Sequence, residues 1–177
     1  MKYIFNNSYI DIVTLYTFRE QSDYLNRLDT VKKLNLDTYN GDFYYSYVVY
    51  NSLTSEKRFV ISFNSDYSEE KLNFMFWSEY EMIVLQTGRD IFLISTNCEL
   101  KASIYVLTPF IGFYLIDNGN LLLLGEAEYK LINGFGQILD SKDFSRMNDW
   151  RIEGNMLLIN TDEYDLRFDL NLNDGIS

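Results

Sequence analysis

Three pairs of carboxylates occur at the two-residue spacing that places side chains on one face of a β-strand. Two carboxylates on one face can act as the acid and the base or nucleophile of glycoside hydrolysis. The alternative is a solvated sheet face that keeps the protein soluble and discourages edge pairing, and we favour this interpretation. The pairs are Glu79 with Glu81, Glu126 with Glu128, and Glu163 with Asp165, and Asp162 adjoins the last pair.

Histidine, the commonest general base, is absent from the 177 residues, and Cys98 is the single cysteine. This excludes Ser-His-Asp and Cys-His catalysis, an internal disulfide and most transition-metal sites. Asp169 and Asn171 begin like a calcium loop, but Asp174 occupies the sixth position, where such a loop needs glycine. The sequence therefore predicts no metal, no cofactor and no enzyme.

The charge of the chain is unevenly distributed. Acidic residues outnumber basic ones by 26 to 15, which gives a net charge of −11. Residues 79–177 carry −9 of this charge and residues 1–78 carry −2. Because affinity for a polyanion comes mainly from Lys and Arg, the acidic excess argues against direct binding of nucleic acid.

Aromatic residues make up 17% of the chain. Tyr and Trp dominate the hot spots of protein–protein interfaces. Strand packing, together with the Tyr and Phe bias of an AT-rich genome, is the more common explanation of an aromatic excess. Exposed rings could bind a protein and could equally stack on sugars, so the aromatic content leaves protein and carbohydrate ligands open.

The first part of the chain predicts mixed secondary structure. Residues 9–18 are rich in β-branched and aromatic side chains, which is typical of a strand. Ser22 is a plausible N-cap, and apolar residues at three- and four-residue spacing predict a helix over about residues 23–34. Residues 42–50 and 58–63 predict two strands, and the polar connection between them favours an antiparallel hairpin.

The second part is repetitive. Each of three copies consists of a strand, a tight Gly/Asn turn and a second strand, followed by another short strand, and the copies recur every 30 to 35 residues or so. The hairpins are residues 81–85 with 91–94, 112–116 with 121–124, and 150–153 with 156–159, and the following strands are 100–106, 129–132 and 165–170.

These patterns predict a single β-rich α+β domain over residues 1–177. No Pro/Ser-rich linker divides it. A strand–helix–hairpin lobe over residues 1–78 is expected to pack on an array of propeller-like antiparallel hairpins over residues 79–177. Three incomplete units are too few to close a propeller, so the array is expected to be open.

Residues 133–141, 149–155, 158–161 and 168–171 resemble the blades of β-propellers. More narrowly, residues 80–175 resemble small bacterial proteins with a few such hairpin repeats, of the kind found as immunity proteins beside toxins. The resemblance rests on the pattern of turns and strands. It implies a propeller-like fold and binding of a toxin, and it assigns no role to any single residue.

We therefore predict a non-catalytic, acidic protein-binding domain, most simply an immunity protein that occludes a basic toxin such as a nuclease. A complementary charge speeds the association of such partners. The alternative is a carboxylate-based glycoside hydrolase or a carbohydrate-binding β module. The residues expected to contact the partner are Glu79, Tyr80, Glu81, Glu126, Glu128, Tyr129, Trp150, Asp162, Glu163, Tyr164 and Asp165.

The same sequence predicts a cytoplasmic protein that does not enter the membrane. The longest apolar stretch, residues 106–116, contains Pro109 and is far shorter than the roughly 20 residues that span a bilayer. Near the first residue, Asn6 and Asn7 interrupt the apolar run that a secretory signal needs.

Overall fold

The computed structural model describes residues 2–171 apart from positions 6, 29, 37, 39, 40 and 108. The chain divides into two compact units, Met1–Ser103 and Ile104–Ser177. The described residues form sixteen β-strands and one α-helix of nine residues, which confirms the prediction of a β-rich chain. Within this described range, no helix has the length and apolar character that crossing a membrane requires.

The first unit contains nine strands and one α-helix, and its last strand continues into the second unit. Two single turns of 3-10 helix, Glu69–Lys71 and Ser78–Tyr80, flank β6. The elements are β1 (Lys2–Phe5), β2 (Ser8–Leu15), α1 (Phe18–Asn26), β3 (Lys32–Asn35), β4 (Phe43–Asn51), β5 (Lys57–Ser65), β6 (Asn73–Trp77), β7 (Met82–Gln86), β8 (Asp90–Ser95) and β9 (Glu99–Tyr105).

Two sheets make up this unit. One has the order β1-β2-β4-β5-β3, in which β3 and β5 are parallel and the other pairs are antiparallel. The other has the order β6-β7-β8-β9. Their apolar faces share one core that includes Tyr47, Ile61, Leu85 and Ile94. The predicted hairpin is present, because β4 and β5 pair antiparallel.

The α-helix begins at Phe18 and ends at Asn26, so the predicted helix over residues 23–34 was wrong. A capping box fixes its start: the hydroxyl of Thr17 accepts from the N–H of Glu20 and the carboxylate of Glu20 accepts from the N–H of Thr17, both at 3.2 Å. Lys32–Asn35 instead forms β3, because its long-range pairing with β5 outweighs the helical spacing of its side chains.

The second unit contains seven strands in two antiparallel sheets, of orders β10-β11-β12-β13 and β14-β15-β16. Apolar residues of both sheets, among them Leu122, Leu131, Leu157 and Ile159, form its core. The strands are β10 (Phe110–Leu115), β11 (Leu121–Gly125), β12 (Glu128–Ile132), β13 (Ile138–Asp143), β14 (Met147–Glu153), β15 (Met156–Thr161) and β16 (Asp165–Asp169).

The three predicted hairpins are confirmed as β7–β8, β10–β11 and β14–β15, each followed by a third strand of the same sheet. Gly119 and Gly154 adopt positive φ angles of 83° and 58° in two of the turns, a conformation that glycine adopts without steric cost. Residues 78 and 79, where the charge changes along the sequence, lie inside the first unit between the paired strands β6 and β7.

Candidate functional site

The residues predicted to contact a partner are distributed over both units. Glu79, Tyr80 and Glu81 belong to the first unit, at the turn between β6 and β7, and the others belong to the second. Glu79 and Glu81 are exposed. Tyr80 is half-buried, with its ring 4.8 Å from the ring of the buried Trp77.

Two of the predicted acids in the second unit already pair with cations. Glu126 Oε2 lies 3.3 Å from Nε of Arg146. Glu128 pairs with Lys130 and also accepts a hydrogen bond from the N–H of Leu107. Glu128 is buried, and a buried carboxylate requires such partners to offset its desolvation. The structure therefore gives Glu128 a structural ion pair and leaves it inaccessible to a partner protein.

Two of the predicted aromatic residues pack into the core of the second unit. Tyr129 is buried and its hydroxyl donates to Oδ2 of Asp140. Burial raises the pKa of Tyr129, and the hydrogen bond and charge of Asp140 raise it further. Trp150 is half-buried, with its ring 4.6 Å from that of Tyr114. By contrast, 47% of Tyr164 is exposed, so Tyr164 is the accessible aromatic of the set.

The pairing of β14, β15 and β16 brings Asp149, Asn160 and Asp165 into one row across the sheet. The neighbouring row, which contains Trp150 and Ile159, packs into the core. Successive side chains of a strand point to opposite faces, so the row of Asp149 faces away from the core. All three of its residues are exposed.

The turn between β15 and β16 is fixed by the buried Thr161. Its hydroxyl accepts from the N–H groups of Glu163 and Tyr164 at 3.3 and 3.1 Å and donates to the carbonyl oxygen of Tyr164 at 2.8 Å. A side chain that bonds to its own turn in this way holds the backbone in one conformation. Thr161 therefore positions Asp162, Glu163 and Tyr164 at the surface.

Three exposed carboxylates at this end of the sheet are oriented by neutral donors. Asp162 Oδ1 accepts from Nδ2 of Asn148 and Asp165 Oδ1 accepts from Nδ2 of Asn160, both at 2.7 Å. Asp149 Oδ1 accepts from the backbone N–H of the next residue at 2.8 Å. None of the three forms an ion pair with a described residue. Their orientation is fixed while their negative charge is retained.

We call the surface formed by Asp149, Asp162, Glu163, Tyr164 and Asp165 the acidic face. Four of these residues were predicted from the sequence, and Asp149 was not.

The row next to Asp149 on the same side of the sheet consists of Arg151, Leu158 and Arg167. Nε of Arg151 lies 2.6 Å from Oε1 of Glu153. A groove of about 320 Å³ runs over these rows and is lined by Asp165 together with both arginines. This side of the sheet therefore has anionic groups near the turn and cationic groups one row further in.

Sequence reasoning missed Asp149, Asn148 and Asn160. Asp149 belongs to the face because it pairs with Asn160 in the regular part of the β14–β15 hairpin. The hairpin turn at Gly154 was visible in the sequence, and counting outward from it would have placed Asp149 near Asn160.

The carboxylate pairs considered for glycoside hydrolysis do not converge on this groove, which includes only Asp165 among them. No group of three or more Cys, Asp or Glu side chains among the described residues is placed to hold a metal ion. The sequence resembling a calcium loop continues past residue 171, outside the described residues. Cys98 is buried, and burial raises the pKa of its thiol.

Replacing Thr161 by valine will lower the free energy of unfolding by about 1–2 kcal/mol, because valine keeps the shape of the side chain and removes its hydrogen bonds to the turn. Urea denaturation measures the change. The matched control is Thr54→Val, whose hydroxyl bonds within an exposed turn and whose loss will cost less than about 0.5 kcal/mol. Equal stability of the two variants would contradict the role given to Thr161.

No family model matches this chain, and no curated protein matches it either. Solved structures resemble it at low identity. One is a protein of unknown function from Bacteroides caccae, with 11% identity, a TM-score of 0.44, and coverage of 73% of this chain and 59% of that one. Another is BamB from Moraxella catarrhalis, with 12% identity, a TM-score of 0.46, and coverage of 71% and 39%.

A third is virginiamycin B lyase from Staphylococcus aureus, with 11% identity, a TM-score of 0.42, and coverage of 92% of this chain and 60% of that one. The chain thus spans well under two thirds of the length of these proteins. None of these likenesses assigns an activity to this chain.

The sequence predicted that the chain is not an enzyme, and this prediction was wrong. The similar structures include a virginiamycin B lyase and a streptogramin B lyase, which are enzymes by name. At 11% and 12% identity the likeness transfers no reaction to this chain. The lack of histidine excludes only chemistry that needs an imidazole.

Proposed function

We propose that this chain is an acidic protein-binding domain whose acidic face receives a basic protein. In its most specific form, the proposal is a bacterial immunity protein that acts in the cytoplasm and occludes a basic toxin, such as a nuclease. The same proposal includes a fold in which the hairpins form a propeller-like array and the strand–helix–hairpin part of the chain packs on that array.

The observation that carries the proposal is the difference between two groups of acids in the second unit. Glu126 and Glu128 are neutralised by Arg146 and Lys130. Three carboxylates of the acidic face, those of Asp149, Asp162 and Asp165, are exposed and oriented by amide or backbone donors, and none forms an ion pair with a described residue. A charge that is fixed in place and uncompensated favours a cationic partner, because little ordering cost remains to be met on binding.

Tyr164 supports a protein as the partner. It is half exposed beside Glu163, and its hydroxyl lies 3.4 Å from Oγ of Ser145. A tyrosine held in this way presents a rigid apolar ring with a polar end, which is typical of a binding hot spot. The surrounding carboxylates form a polar rim, whose charges chiefly set the rate of association.

The experiment is co-expression with the toxin encoded beside this chain. We expect cells that carry both proteins to survive and the two proteins to purify together. The variant Tyr164→Ala should fold normally and weaken the complex at least about 30-fold, the effect of losing a hot spot. The matched control is Phe135→Ala, since Phe135 is also exposed but lies in the turn between β12 and β13.

Two outcomes would contradict the proposal. One is that cells die as readily with this protein as without it and no complex is recovered. The other is that Tyr164→Ala and Phe135→Ala bind the toxin equally well, which would place the interface elsewhere on the molecule.

A further inference from the structure

A second groove lies in the first unit, beside α1. The helix and the residues after it cover part of one face of the five-stranded sheet, where Leu25 and Leu28 pack against Val48 and Val60. Beyond that contact, a groove of about 400 Å³ among the described residues separates the helix from β3, β4 and β5. This volume lies within the range of small-molecule sites.

The floor of this groove is polar where a covered sheet face would be apolar. Asn35 of β3 lies opposite Ser62 of β5, and Tyr44 of β4 lies opposite Asn64 of β5. All four residues line the groove, together with Lys33. Polar side chains at these positions are outside the core and present hydrogen-bonding groups to whatever occupies the groove.

The floor presents more donors than acceptors. The hydroxyl of Ser62 donates to Oδ1 of Asn35, and the hydroxyl of Thr38 donates to Oδ1 of Asn64. With both amide oxygens engaged, Nδ2 of Asn35 and Nδ2 of Asn64 remain as donors without an acceptor among the described residues. The described lining contains no Asp or Glu, although the chain as a whole has a net charge of −11. A ligand rich in acceptor oxygens fits this lining.

One wall of the groove is aromatic. Phe18, the first residue of α1, is 70% exposed, and its ring centroid lies 6.5 Å from that of Tyr44 in an edge-on arrangement. Both rings line the groove. An exposed aromatic ring beside amide donors suits a ligand that has one apolar face and a polar perimeter.

We propose that this groove binds an anionic monosaccharide of the uronic acid type. Ring hydroxyl and carboxylate oxygens accept from Asn35, Asn64 and the ammonium group of Lys33, while the C–H face of the sugar lies on Phe18. A phosphate ligand fits less well, because Lys33 is the single cation of the described lining. The inference goes beyond the proposed function and does not depend on it, since it concerns other residues in the other unit.

The test uses the full chain and glucuronate as the probe, with saturation-transfer NMR and calorimetry as the readouts. We expect saturation transfer to the C–H protons of glucuronate and at least fivefold weaker binding of glucose. Phe18→Ala should weaken both sugars at least fivefold. Lys33→Gln should remove the preference for glucuronate over glucose and leave glucose binding unchanged.

Matched controls exist in the chain. Phe135→Ala removes an aromatic ring that is 75% exposed, and Lys71→Gln removes an exposed cation, and neither residue lines the groove. Both controls should bind glucuronate as the unmodified chain does. The inference is overturned by the absence of saturation transfer to glucuronate, by tighter binding of adenosine monophosphate than of glucuronate, or by unchanged binding in Phe18→Ala and Lys33→Gln.

Discussion

Replacing Asp149, Asp162 and Asp165 together by lysine will slow association with the basic toxin proposed above about 30-fold or more at low salt. The three carboxylates lie on one sheet and form no ion pair with a described residue, so their reversal changes an attractive local field into a repulsive one. The rate of association of the unmodified chain should fall steeply between low salt and about 0.5 M, where screening acts over a few ångströms. Stopped-flow or surface-based kinetics measure both effects.

The matched control separates local charge from net charge. Asp42→Lys, Asp66→Lys and Glu70→Lys together change the net charge equally at exposed positions of the first unit. This variant should slow association less than about threefold, because none of its three residues belongs to the acidic face and salt screens exposed charges outside the contact. Equal rates for the two triple variants would show that total charge, and not the acidic face, governs the encounter.

Gly41→Ala will destabilise the fold by about 3 kcal/mol, the upper end of the usual cost of overpacking. A Cβ at this position would lie 2.2 Å from the carbonyl carbon of Ser65 and 2.5 Å from its oxygen, so backbone must move. Ser65 has little freedom, because its hydroxyl donates to the carbonyl oxygen of Thr87 at 3.1 Å. Thermal unfolding should show a Tm lower by roughly 6–12 °C.

Gly154→Ala is the control for this prediction. Gly154 has a φ of 58° and no atom within 4 Å of an added Cβ, so alanine there meets only the cost of a left-handed backbone, about 1 kcal/mol. The buried Cys98 offers a second readout in the unit of Gly41, since its alkylation should be faster in Gly41→Ala. A loss of stability no larger than that of Gly154→Ala would contradict the predicted clash.

The elements that the sequence predicted correctly are those fixed by neighbouring residues. The hairpins β7–β8, β10–β11 and β14–β15 follow from short Gly/Asn turns between apolar runs, and such turns act within a few residues. The parallel pair β3–β5 was not predicted, because it joins segments distant in the chain. The start of α1 was available as the Thr17 and Glu20 capping box, but the β-branched run before it favoured a strand.

The same distinction between neighbouring and distant residues applies to the candidate site. The exposure of Asp162 and Glu163 follows from their place in a short turn between strands, which the sequence indicates. Asp165 is the first residue of the strand after that turn. The buried position of Glu128 could not be predicted in this way, because it depends on a hydrogen bond from the backbone N–H of Leu107, 21 positions away. Its pairing with Lys130 joins two residues on the same face of one strand. That spacing alone does not predict an ion pair, because Asp165 and Arg167 share it without forming one.

The most direct test of the acidic face as the binding surface is hydrogen–deuterium exchange of this chain with and without the basic toxin. We expect slower exchange on binding in the segments 147–153 and 160–167, which contain the acidic face and the adjacent arginine row. The turn of residues 161–164 should show the largest change, since its N–H groups bond only to one side chain or one carbonyl oxygen. Protection confined to other segments of the chain, with these two unchanged, would contradict the account.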